Sequence, residues 1–258
     1  ALPISTVVRC NSSGLVNGLK GAQQSTAPTT LTASSFRPET RLGGVSVDND
    51  AAVTAVYSYG TLPLGPAQSI KAVINNKGDL PLINLPVTLT ITGAETFTDT
   101  QIIPSLDPCV GQATVTFAAF SPSALGSDTI TVSVPADGFA GNNSLSKALS
   151  VTSLAYSYKY PGSTANGGVG FNSTTGALVG KFTTRAVNAV AAVTLEFSAT
   201  SATTYRVAIF GDSGAGTPST TPLYVDAANR TVTAAGPVTL TLRSEEHTSE
   251  LQSPYVIS

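Results

Sequence analysis

The chain has 258 residues, 41% of them apolar and only 11% charged, with 13 Lys and Arg against 15 Asp and Glu and a formal net charge of −2. That apolar content supports packed cores in one or two domains, while the scarcity of charge gives no electrostatic footprint for nucleic acid. No apolar run approaches the ~18 residues that read as a membrane-spanning helix, and 23 Gly and 16 Pro punctuate many short alternating runs, which predicts an all-β protein.

The two ends are set aside from the fold reading. Arg243–Ser253, RSEEHTSELQS, reads as the in-frame translation of a short-read sequencing adapter, and Ala1–Ser5, ALPIS, as that of the opposite adapter. The expected biological stretch is then about Thr6–Leu242, a fragment of a longer protein, with 243–258 an adapter-derived tail. Residues 244–258 hold Glu245, Glu246 and Glu250 and no Lys or Arg, so without them the net charge becomes about +1. The single histidine, His247, falls in the same tail. The two cysteines, Cys10 and Cys109, lack CxxC spacing and do not read as zinc ligands. Three readings stay open for them: a disulfide closing a loop of about 100 residues and contributing roughly 4–5 kcal/mol, two buried thiols, or a Cys10 whose partner lies outside this sequence.

In chain order, Thr6–Arg9 reads as the last strand of a preceding module, Asn11–Ser35 as a Gly/Ser/Thr/Gln-rich linker, and Phe36–Val47 as an extended connection. A compact module begins near Asp48. Its predicted strands are Ala51–Ser58, Ser69–Asn75, Pro86–Thr92, Glu95–Ile102, Ala113–Phe120, Asp128–Val134 and Ser144–Thr152. Apolar residues alternate along them, as in Val87/Leu89/Ile91 and Ile130/Val132/Val134, which is the pattern of half-buried antiparallel strands. The loop Asn75-Asn76-Lys77-Gly78-Asp79 supplies the turn chemistry between Ile70–Ile74 and the strand beginning at Pro86. Seven short strands at this spacing predict an immunoglobulin-like sandwich, without the Trp and paired Cys of an antibody domain.

The order AAVTAV, IKAVINNKG, LPVTLTITG, TITVSVPADG and NNSLSK over about residues 48–152 resembles the CARDB-type, cell-adhesion-related modules, especially versions in large secreted proteins of Bacteroidota. The resemblance implies a fold and an extracellular or cell-surface setting, not a ligand.

A second β segment follows, Leu154–Leu242. It opens on Tyr156, Tyr158 and Tyr160, alternating along a predicted strand, and passes through a Gly-rich turn at Pro161–Gly170. Further strands are predicted at Ala177–Thr183, Ala189–Phe197, Tyr205–Phe210, Leu223–Val225 and Val238–Leu242; Ala-rich Ala186–Ala192 is read as strand rather than helix. The segment is similar to a jelly-roll-like sandwich that stops short at the adapter junction, so late strands are expected to be missing.

Few residues carry chemistry. Phe210-Gly211-Asp212-Ser213-Gly214-Ala215-Gly216 contains the Gly-Asp-Ser-Gly of trypsin-like nucleophiles, but no histidine outside the tail serves as base, so it reads as a Gly-rich hairpin. Ser144-Leu145-Ser146-Lys147 is Ser-x-x-Lys by spacing alone. Asp48-Asn49-Asp50 and the loop of Asp137, Asn142 and Asn143 are oxygen-rich and suit calcium, yet neither reaches the six oxygens that ion takes. The sequons at Asn11, Asn142, Asn172 and Asn229 are expected by chance in so Ser/Thr-rich a chain, and Asp128-Thr129-Ile130 is a short resemblance to an O-glycosylation motif. The row Tyr156, Tyr158, Tyr160 suits packing between sheet faces or stacking on a sugar. The expectation is a non-catalytic fragment of a secreted or surface modular protein acting in adhesion, display or spacing. It takes no cofactor and no metal, and its partners would be neighbouring modules, glycans or other surface proteins. The other reading is a carbohydrate-binding or accessory region of a secreted hydrolase.

Overall fold

The computed structural model describes residues 47–108, 111–164, 167–171, 175–184, 190–198, 204–214 and 216–242, with the backbone of Leu19–Lys20, Thr32–Ala33 and Tyr255–Ile257. Cys10, Cys109, His247 and the expected strand Thr6–Arg9 lie outside the described residues. The protein is all-β. The strands are β1 (Leu19–Lys20), β2 (Thr32–Ala33), β3 (Ala51–Tyr57), β4 (Thr61–Pro63), β5 (Lys71–Asn76), β6 (Leu82–Gly93), β7 (Phe97–Leu106), β8 (Gln112–Thr116), β9 (Gly126–Ser133) and β10 (Ser144–Thr152). Then come β11 (Val179–Lys181), β12 (Ala192–Phe197), β13 (Thr204–Tyr205), β14 (Ala208–Asp212), β15 (Pro218–Val225), β16 (Arg230–Thr231), β17 (Gly236–Thr241) and β18 (Tyr255–Ile257). One turn of 3₁₀ helix covers Ala140–Asn142. Contacts divide the chain into two units: Ala1–Ser58 with Ser69–Phe120 and Thr129–Lys147, and Tyr59–Gln68 with Ser121–Asp128 and Ala148–Ser258.

The first unit carries the immunoglobulin-like sandwich pattern. Its strands are the sheet β3-β5-β8 and the pair β6-β7, with the Thr129–Ser133 part of β9 and the Ser144–Lys147 part of β10. The alternation read from the sequence sets which face is buried: Ala72 and Ile74 on β5, Val87, Leu89 and Ile91 on β6, and Ile130 and Val132 on β9 are fully buried. The intervening residues of β6 and β7 are hydroxyl-rich, and Thr88 pairs with Thr100 through hydroxyls 3.1 Å apart. β6 is longer than predicted. Asn84, at φ 49°, interrupts the alternation between the Ile83↔Ser105 and Leu85↔Ile103 pairs, so Leu82 and Leu85 are both buried. Asn is among the few residues that tolerate this left-handed backbone, and a period-two template stops at such a break.

The loop after β5 is fastened by Asn76, whose side chain is 1% exposed. Its Nδ2 donates to the carbonyls of Leu80 (2.8 Å) and Leu106 (3.0 Å), and its Oδ1 accepts from Gly78 N–H (3.0 Å). Gly78 is needed for proximity: a Cβ there would lie 2.5 Å from the Asp48 carbonyl oxygen.

The second unit holds smaller sheets. One has the order β11-β18-β14-β15, and β12-β17 and β13-β16 are two-stranded ribbons. Val193, Val207, Ile209, Leu240 and Leu242 form its buried cluster, with Leu195, Tyr205, Leu223 and Val238 packed against it. The predicted strands at Ala177–Thr183, Ala189–Phe197 and Val238–Leu242 are found with shifted ends, whereas the tyrosine row is not a strand: only Ser157 within it pairs, in an isolated bridge to Thr61. Residues 185–189, the core of the Ala-rich run, lie outside the described residues.

Candidate functional site

The tyrosine row of the second unit is the densest cluster of side chains the sequence singled out. It is assembled by a close crossing of two segments. Gly60 N–H and Thr61 N–H both donate to the Ser157 carbonyl, at 2.8 and 3.0 Å. A Cβ on Gly60 would fall 2.0 Å from the Lys159 carbonyl oxygen, so only glycine permits the approach. The crossing sets Tyr59 beside the row: its ring centroid is 5.9 Å from that of Tyr156, 4.9 Å from Tyr158 and 5.9 Å from Phe182, the last in a stacked arrangement. Phe182 also meets Tyr156 and Tyr158 at 5.8 and 5.1 Å. Four rings at these separations are in the favourable range for aromatic pairs.

The hydroxyls explain the spacing of the row. Tyr158 and Tyr59 donate to the Lys181 carbonyl, the latter at 2.9 Å, and Tyr156 donates to the Thr183 carbonyl at 2.7 Å. Carbonyls two residues apart in extended backbone point to the same edge. Two tyrosines two residues apart therefore occupy acceptor positions along one side of β11 and its continuation, as a neighbouring strand would. Burial raises the pKa of Tyr59, with the neighbouring Tyr158 hydroxyl adding to it, and burial raises that of Tyr156. Tyr160 is half-buried, and its carbonyl accepts from Ser163 N–H at 3.1 Å. Tyr158 keeps 50% of its surface exposed.

Charged groups flank the rings. Lys159 pairs with Glu196 at 2.7 Å, and Lys181 with Asp212 at 2.8 Å. The Lys181 ammonium, followed by Gly214 N–H, lowers the Asp212 pKa. Beyond Asp212, the Gly-Asp-Ser-Gly motif is a hairpin turn. Ser213 N–H donates to the Thr217 carbonyl at 2.9 Å, the two hydroxyls lie 2.8 Å apart, and Gly214 sits at φ 85°.

The two oxygen-rich loops, far apart in sequence, come together in the first unit. Asn142 Nδ2 donates to Asp50 Oδ1 at 2.7 Å, and Asp137 accepts from Ala51 N–H at 2.7 Å and Phe139 N–H at 2.9 Å. These carboxylates tie the start of β3 to the loop after β9. A shallow depression beside them is lined by Asn49, Ala51, Leu82, Leu85, Pro135 and Asp137. Among the described residues no group of three or more His, Cys, Asp or Glu is placed to hold a metal ion. Thr129 of the glycosylation-like motif is exposed on β9 while Asp128 is buried; Asn229 is exposed, and Asn11 and Asn172 lie outside the described residues.

One site was missed by the sequence reading. Asp226, 2% exposed, accepts both Nε and Nη2 of Arg230 (2.8 and 2.7 Å), the Tyr224 hydroxyl (2.8 Å) and Val207 N–H (3.0 Å). The Arg230 guanidinium is the main reason its carboxyl is lowered to about 2. Only the Asp-x-x-x-Arg spacing in a turn pointed to it, which is too common a pattern to single out.

No family model matches the chain, and no curated relative does. Among solved structures, the chain is similar to the crystal structure of a CARDB domain from Pyrococcus furiosus in complex with di-metal ions, at 16% identity and a TM-score of 0.38, over 43% of this chain and 100% of that one. A solution NMR structure of the same CARDB domain gives 17% identity and a TM-score of 0.35, over 41% and 96% of the two chains. Among the described residues, no helix is long and apolar enough to cross a membrane.

Proposed function

We propose that the chain is a non-catalytic module of a secreted or cell-surface protein, acting in spacing, display or adhesion. One observation carries this reading: the polar groups with chemical potential are committed to the chain itself. Tyr59, Tyr156 and Tyr158 donate to strand carbonyls, Ser213 is bonded to Thr217, Asp212 to Lys181, and Asp50 and Asp137 to neighbouring loops. A nucleophile needs a base within hydrogen-bond reach, and the Ser213 hydroxyl is bonded to that of Thr217 across its turn. The sequence resemblance of residues 48–152 to CARDB-type modules supports the extracellular setting and, as partners, neighbouring modules or other surface proteins. The purified chain is expected to turn over no substrate in a panel of esters, peptides and glycosides. Hydrolysis abolished by Ser213→Ala would overturn the reading.

A second reading, a glycan-binding surface or the accessory region of a hydrolase, draws on the exposed half of the Tyr158 ring. Pull-down on insoluble polysaccharides tests it. Binding lost in Tyr158→Ala and kept in Tyr158→Phe would favour a stacking face; retention of no polysaccharide would remove it.

A further inference from the structure

β11 is an edge strand whose hydrogen-bonded neighbour in its sheet is β18, and β18 pairs antiparallel with β11 on one side and β14 on the other. Val179, Gly180 and Lys181 face Ile257, Val256 and Tyr255, which in turn face Ala208, Ile209 and Phe210. With β18 withdrawn, β11 and β14 would run parallel about 9–10 Å apart, two strand spacings, with both facing backbone edges unpaired.

The walls of that slot are held without β18. On its far side β11 is fastened by the Tyr59 and Tyr158 hydroxyls on the Lys181 carbonyl. Gly180 lies against the rings of Phe182 and Tyr158, where a Cβ would come within 3.3 and 3.6 Å. Across the slot, Lys181 Nζ reaches Asp212 at the end of β14, 2.8 Å away. On the other wall, β14 is paired with β15 from Ala208↔Val225 to Asp212↔Pro218. A long Lys side chain is suited to bridging two strands that skip a place.

We infer that the slot between β11 and β14 is a strand-acceptor site, and that its occupant in trans is Tyr255–Ile257 of a second copy of this chain. The plug is three residues of high β propensity, separated from β17 by the thirteen residues 242–254. It belongs to the stretch read above as a translated adapter, so its seating reflects what the slot accepts: an extended, antiparallel, apolar segment. Exchange between copies re-forms the same backbone bonds, which is the economy of domain swapping. The chain's own strand is joined covalently and competes with that of a second copy, so exchange is a high-concentration event.

The test is sedimentation of the full chain from low µM to about 1 mM, beside Val256→Pro, whose ring removes a ladder donor, and Val256→Thr, which keeps the strand. A dimer growing with concentration, kept in Val256→Thr and lost in Val256→Pro, is expected. A labelled peptide of residues 254–258 is expected to bind the Val256→Pro chain at least tenfold more tightly than the unsubstituted chain, whose slot is filled. A dimer that survives Val256→Pro, or an opened chain that binds no peptide, would overturn the inference.

Discussion

The two units are held by different kinds of chemistry. In the first, alternate residues of the strands reach complete burial, with Ala72, Ile74, Val87, Leu89, Ile91, Ile130 and Val132 all at 0% exposure. Polar groups there fasten loops at the rim, as Asn76 and Asp137 do. In the second unit one buried cluster of five residues, Val193, Val207, Ile209, Leu240 and Leu242, packs the short strands, and directional bonds accompany it: four rings with three hydroxyls on backbone carbonyls, two surface ion pairs, and a buried carboxylate with four donors. A sheet with a continuous apolar face specifies its own register, because a one-residue slip would expose the whole face. Short strands with few apolar residues have no such penalty, and side-chain hydrogen bonds set the register in its place.

The largest effect should therefore come from the apolar face of the first unit. Leu89→Ala removes a side chain with no exposed surface and is expected to cost about 3–5 kcal/mol in denaturant unfolding. Thr88→Ala, one residue away on the hydroxyl face, should change stability by less than about 1 kcal/mol. Equal costs at the two positions would abolish the distinction drawn here.

In the second unit the corresponding position is polar. Asp226→Asn leaves the Arg230 guanidinium facing a neutral amide and is expected to cost about 3 kcal/mol, read as earlier unfolding of strands β14–β17. The acid limb gives an independent reading. The folded pKa of Asp226 is lowered to about 2 from an ordinary value near 3.9, so its contribution is complete above pH ~4 and lost as pH falls towards 2. That shift corresponds to on the order of 2 kcal/mol. Asp226→Asn should flatten the pH dependence of stability between pH 4 and 2. An unchanged slope would mean that the hub does not hold this unit.

The same contrast decides what was legible in the sequence. Val87, Leu89 and Ile91 announce both their strand and its buried face by alternation alone, and the Asn-Asn-Lys-Gly turn is equally local. β10 was found with its ends intact, Ser144–Thr152. By contrast β4, three residues paired parallel to β10, is too short for any period to register. The tyrosine row was visible, but its meaning was not: the residues that explain it, Tyr59 and the Lys181 and Thr183 carbonyls, are 97, 25 and 27 residues from the row's start, Tyr156, and two of the three are backbone atoms with no sequence signature. Asp226 was passed over for the same reason, since one donor, Val207 N–H just before β14, is nineteen residues away.

The smallest predicted effect sharpens the account of the row. Tyr158→Phe keeps the ring against Tyr59 and Phe182 and deletes one hydroxyl on a carbonyl that Tyr59 also serves. The expected loss is about 0.5–1 kcal/mol, with faster amide exchange at Val179–Lys181 as its local sign. Alkaline pH should act on the same carbonyl. The raised folded pKa of Tyr59 makes its contribution complete below the ordinary tyrosine value near 10 and lost as pH rises beyond it. Tyr158→Phe removes the second-ranked cause of that rise, the Tyr158 hydroxyl beside it, and should weaken the alkaline destabilisation without erasing it. If amide exchange in β11 responds to neither the substitution nor high pH, the hydroxyls are not standing in for a neighbouring strand, and the rings alone position that edge.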